Sequence, residues 1–100
     1  MTFERILQVF DDILKQDPLY EVVSTSHGYT LLAWEPRRKA WASAEFLETP
    51  EVMLEQLLRA YSSYLESKFT DDYERDDLTA QEEAEIHARC RQLREACMSF

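Results

Sequence analysis

Apolar residues recur at helical spacing from the start of the chain. Phe3, Ile6, Leu7, Phe10, Ile13 and Leu14 share one face at i, i+3, i+4 and i+7. Thr2 is placed to cap this first helix, and Pro18 stops it shortly after Lys15. The pattern then changes period. Tyr20 to Thr25 is rich in β-branched and aromatic residues, and His27-Gly28 supplies a turn. Tyr29 to Glu35 reads as a second strand, Pro36 to Lys39 as a second turn, and Ala40 to Leu47 as a third strand.

Turn positions set an expected register. With His27-Gly28 as the loop, Val23 pairs with Leu32 and Val22 with Ala33. A turn centred on Arg37-Arg38 pairs Trp34 with Trp41, Ala33 with Ala42 and Leu31 with Ala44. Side chains alternate faces along a strand. One face is then expected to carry Val22, Tyr29, Leu31, Ala33, Ala42, Ala44 and Phe46, and to be buried. The other carries Glu21, Val23, Thr25, Thr30, Leu32, Trp34, Trp41, Ser43 and Glu45, and is left open to water or to a partner.

Two helices follow. Thr49 caps the second, Pro50 occupies its first position, and Glu51 complements the positive dipole end. Met53, Leu54, Leu57, Leu58, Tyr61, Tyr64, Leu65 and Phe69 form a stripe wide enough to touch both a sheet and another helix. Thr79 and Glu82 form a capping box for the third helix. Its apolar seam is narrow: Ile86, Cys90, Leu93, Cys97 and Phe100. Such a seam fits either the second helix or a second copy of the chain in a homodimer. The expected fold is a single α+β domain over residues 1–100, ordered α-β-β-β-α-α, with helices packed on one face of a three-stranded antiparallel meander.

Charge adds the next constraint. The net charge of −9 argues against direct nucleic-acid binding. From Asp71 to Glu85 there are eight acids against one base, Arg75, so seven of the nine net negative charges lie in fifteen residues. Glu82, Glu83 and Glu85 suit a helix start, whereas Asp71, Asp72, Glu74, Asp76 and Asp77 lie just past the end of the second helix and face its negative pole. The two readings are a solvated surface and a contact surface for a protein partner with a basic surface.

No apolar run is long enough for a membrane span, and no membrane partner is expected. The N-terminus lacks the zones of a signal peptide. Cys90 and Cys97, seven apart on one helix, are separated by about 10.5 Å and cannot form a disulfide there. They read as reduced core residues, and a cytoplasmic location is expected.

Candidate chemistry is sparse. The chain has one glycine, hence no glycine-rich phosphate loop, and its two histidines are far apart in sequence. Glu83, His87 and Cys90 share a helical face, but the sequence supplies no fourth ligand, and the acidic run lacks the rhythm of a calcium loop. No catalytic residue, metal ligand or cofactor is assigned, and an enzyme is not expected. The Trp34–Trp41 pair is either a cross-strand stabiliser or a contact hot spot, with Arg37, Arg38 and Lys39 at the adjacent turn. The candidate binding residues are therefore Asp71, Asp72, Glu74, Asp76, Asp77, Glu82 and Glu83, together with Trp34, Trp41, Arg37 and Arg38.

The stretch Tyr20-Glu21-Val22-Val23-Ser24-Thr25-Ser26-His27-Gly28-Tyr29-Thr30, with Trp34 and Thr49-Pro50-Glu51, resembles small acidic proteins encoded on bacterial mobile elements. Some such proteins inhibit host defence, including anti-CRISPR and anti-restriction proteins that mimic nucleic acid. The resemblance implies an inhibitor of a CRISPR or restriction nuclease and assigns no site residue.

Overall fold

The computed structural model describes residues 1–99. Its elements are α1 (Phe3–Gln16), β1 (Tyr20–Thr25), β2 (Gly28–Glu35), β3 (Ala40–Leu47), α2 (Pro50–Phe69) and α3 (Ala80–Met98). The sheet is antiparallel in the order β1-β2-β3, so the fold is α+β with a meander between α1 and the helix pair. The place of Phe100 on the α3 seam lies outside the described residues.

Local chemistry accounts for the boundaries. Thr2 Oγ1 accepts the Arg5 N–H at 3.1 Å, and Thr49 Oγ1 accepts that of Val52 at 3.1 Å. Thr79 and Glu82 close a reciprocal box at 2.9 and 3.1 Å. At the end of α1, buried Asp17 accepts the Leu19 N–H at 3.0 Å, turning the chain into β1. The Leu19 carbonyl then accepts the Trp34 N–H at 2.7 Å, continuing the ladder beyond β1.

Both hairpins depart from the expected register, in different ways. The first loop is Ser26-His27, with Thr25 paired to Gly28 and Val22 to Leu31. Thr25 Oγ1 accepts the His27 N–H at 3.1 Å and donates to the Gly28 carbonyl at 3.2 Å. Gly28 leaves the turn at φ 124°, a conformation that disfavours a Cβ. This slide by two positions keeps every β1 side chain on its expected face.

The second hairpin keeps Trp34 opposite Trp41, but a bulge follows, and Ala33 pairs with Ser43 and Leu31 with Glu45. Ala42 is the extra residue. One added residue exchanges the two faces of everything beyond it. Ala44 and Phe46 therefore share the open face with Leu32, while Ser43, Glu45 and Leu47 lie on the helix side. Leu47 is 1% exposed, and Phe46, expected on the buried face, is 50% exposed.

The helices cover the face that presents Leu31 and Leu47. The core joins Ile6 and Phe10 of α1, those two strand residues, Met53, Leu54, Leu57 and Leu58 of α2, and Cys97 of α3. One molecular dimension is only 19 Å, as expected for two layers about 10 Å apart. The α3 seam is used internally: Ile86 and Cys97 are buried, and Cys90 and Leu93 pack against the core. Arg5 ties α1 to the end of α3 by donating to the Ala96 carbonyl through Nε and Nη2, at 3.3 and 3.1 Å.

Candidate functional site

The acidic turn is built around Thr70. Its buried hydroxyl donates to the Glu66 carbonyl at 2.7 Å and accepts the Tyr73 N–H at 3.1 Å. Its carbonyl accepts the Arg75 N–H at 3.2 Å, and the Ser67 carbonyl accepts that of Asp72 at 2.8 Å. Between these bonds, Asp71, Asp72 and Tyr73 hold φ of 52°, 58° and 69°. Aspartate tolerates this left-handed region better than most residues, because its short side chain makes local hydrogen bonds. Asp72 does so, accepting from the Ser67 hydroxyl at 2.9 Å. Sequence reading found the charge here and missed this conformational role; consecutive acids after a helix without a glycine cap are the signal that was available.

Arg75 is used inside the turn. Its Nη2 donates to the Phe69 carbonyl and to Glu82 Oε2. The hydrogen bond from Arg75 pulls the Glu82 carboxyl below the usual carboxylate range, and the Thr79 backbone N–H acts in the same direction. Glu85 pairs with Arg89 at 2.7 Å. The other six acids, Asp71, Asp72, Glu74, Asp76, Asp77 and Glu83, are exposed and form no ion pair among the described residues. Burial raises the Tyr73 phenol first, with Glu66 and Tyr20 adding to the effect.

The second candidate surface is the open sheet face. Trp34 and Trp41 meet edge to face, with centroids 5.0 Å apart and ring planes at 75°. Trp34 is half-buried and Trp41 is 48% exposed. Sequence reading missed Phe46, because no turn signal in this chain announces the bulge that brings it to this face. Arg37, Arg38 and Lys39 stand at the hairpin tip, exposed and unpaired by any acid among the described residues. Lys39 takes φ 51° to close the turn, and the Arg37 N–H donates to the Glu35 carboxylate at 3.1 Å. The structure thus places the predicted site residues on two separate surfaces, the α2–α3 turn and the β2–β3 hairpin.

Glu83, His87 and Cys90 line a groove between α2 and α3 with Ser62 and Glu66. Among the described residues, no three His, Cys, Asp or Glu side chains come together to hold a metal ion. Both cysteines are free thiols, and burial pushes both above their ordinary range, which keeps them protonated and slow to react. No helix among the described residues is long and apolar enough to cross a membrane. Comparison with protein-family models, with curated proteins and with solved structures finds no match.

Proposed function

We propose that this protein is a non-enzymatic binding module whose α2–α3 turn engages a basic surface of another protein. The observation that supports this most directly is the set of six exposed acids that no cation among the described residues pairs. Arg75 is held inside the turn, so it locks the backbone while leaving those acids free. Carboxylates held on an ordered turn bind a cationic surface without a large ordering cost. Long-range attraction would speed encounter by roughly 10- to 1000-fold at low salt. The resemblance to mobile-element proteins suggests the partner class: a cytoplasmic defence nuclease of the CRISPR or restriction type, whose phosphate-binding channel the turn would occupy.

The test is charge reversal at Glu74, Asp76 and Asp77, which make no side-chain hydrogen bond in the turn. The native protein and the triple Lys variant are each used to capture partners from host lysate at low and high salt, with mass spectrometry of what is retained. A partner captured by the native protein, lost with the variant and lost at high salt supports the reading. An identical set retained by both proteins at both salt concentrations sinks it.

A second reading is favoured by the bulge. By turning Phe46 outward it adds a third large aromatic to Trp34 and Trp41, making a contact face beside the basic tip. On that reading Trp41→Ala costs roughly 2 kcal/mol of affinity with little salt dependence.

A further inference from the structure

We infer that the open sheet face, taken as a contact surface, is covered by a second copy of the same chain in an antiparallel, face-to-face homodimer. The inference rests on the arrangement along β3. Trp41 and Phe46 are the two large side chains on this face that are about half exposed, at 48% and 50%. They lie on either side of Ala44: Trp41 pairs with Trp34 and Phe46 with Thr30, each two β2 positions from Leu32, the partner of Ala44. A half-turn about an axis in the interface and perpendicular to the strands lays β3 on its counterpart in reverse. Trp41 then meets Phe46 of the second copy, and Phe46 meets Trp41 of the second copy. Ala44 near the centre allows the sheets to approach.

Charge at the two ends of β3 favours the same operation, at the cost of setting exposed Glu21, which shares the axis row with Leu32 and Ala44, against Glu21 of the second copy. Lys39 and Glu48 flank β3 at its opposite ends, followed in the chain by Arg38 and Arg37 on one side and by Glu51, at the start of α2, on the other. All five are exposed, and none forms an ion pair among the described residues. The half-turn places the basic tip of each copy toward Glu48 of the other, twice over. The alternative half-turn, about an axis along the strands, sets one basic tip against the other and is disfavoured. Such a contact is isologous and closes at two subunits.

Edge-to-edge pairing of β3 is the competing geometry, and the strand is blunted against it. The Ala42 bulge disrupts the edge, and Glu45 projects as a charge toward the helix side, two devices that suppress strand addition. The face is small. Three strands about 4.8 Å apart, of six, eight and eight residues at about 3.3 Å each, give roughly 350 Å² per copy. That lies below a standard interface, so a weak, concentration-dependent dimer is expected.

Sedimentation equilibrium of the full chain at low salt, from about 1 to 200 µM, tests this. The native protein should pass from monomer to dimer, and Phe46→Asp should weaken the dimer at least about tenfold. A tip-reversed variant (Arg37→Glu, Arg38→Glu, Lys39→Glu) and an end-reversed variant (Glu48→Lys, Glu51→Lys) should each be monomeric, yet form a heterodimer when mixed. Thermal melts confirm that each variant is folded. A native monomer throughout, a dimer untouched by Phe46→Asp, or a mixture no more associated than its parts overturns the self-pairing. If the native protein is monomeric while Trp41→Ala loses a captured partner, the contact-face reading stands and only the second copy is excluded.

Discussion

Trp34 and Trp41 are the last cross-strand partners of the β2–β3 hairpin that follow the simple register, their rings edge to face at 5.0 Å. One residue later the ladder slips at Ala42, and Leu47 rather than Phe46 reaches the core. That step makes the sheet's open side aromatic along the length of β3, and it changes which substitutions the fold can tolerate.

Leu47→Ala should cost about 2–5 kcal/mol, because the side chain is 1% exposed within the core. Phe46→Ala should cost under about 1 kcal/mol. Urea denaturation of the two variants at a concentration where the protein is monomeric reads the difference. The opposite ranking would mean that the strand lacks the bulge.

Asp17 gives a pH signature. Burial raises its carboxyl above the ordinary range, only partly offset by the Leu19 N–H and by Lys68. A carboxyl whose folded pKa is raised contributes stability at pH below its unfolded value, about 4, and loses that contribution as pH rises through the folded value. Asp17→Asn keeps an oxygen acceptor for Leu19 without the buried charge. It should therefore raise stability at pH 7 by roughly 0.5 kcal/mol and leave it nearly unchanged at about pH 3. Equal effects at both pH values would remove desolvation as the cause.

Glu82 has the opposite sign. Its folded pKa is lowered by Arg75 and by the Thr79 N–H, so its contribution is present above the unfolded value, about 4.3, and is lost as pH falls through the folded one. Glu82→Gln should flatten the acid limb of the stability profile. Thr79→Ala should cost about 1 kcal/mol at neutral pH through loss of the cap. Amide hydrogen exchange localises both effects: the first turn of α3 should lose protection before its last.

Thr70 is the conformational anchor of the acidic turn. Thr70→Val removes the hydroxyl that serves both Glu66 and Tyr73, leaving the Tyr73 N–H without its side-chain acceptor, and should cost about 1–3 kcal/mol. If the turn must be ordered to bind, the variant should also weaken capture of a basic partner while the net charge stays the same. Unchanged partner capture by a destabilised turn would separate charge from order.

The cysteines should behave as buried thiols. Cys97, 1% exposed, should react with a thiol reagent only on unfolding, and half-buried Cys90 slowly. Fast labelling of Cys97 in the folded protein would contradict the packing of α3 on α1 and α2.

Local signals were sufficient for most of the architecture. Apolar period, threonine caps, Pro50 and the two turn clusters locate all six elements nearly to the residue, because each is decided by neighbours within a few positions. The identity of the acidic cluster was equally legible, since net charge needs no geometry. Tertiary structure alone decided three matters. It slid the pairing of the first hairpin by two, with Ser26-His27 rather than His27-Gly28 as the loop and the Thr25 hydroxyl bonded across it. It placed the Ala42 bulge, because burying Leu47 beside α2 outweighs a regular ladder. It also brought Arg75 to Glu82, a pairing that depends on where the turn folds back, whereas Glu85–Arg89 follows the i, i+4 spacing of a helix.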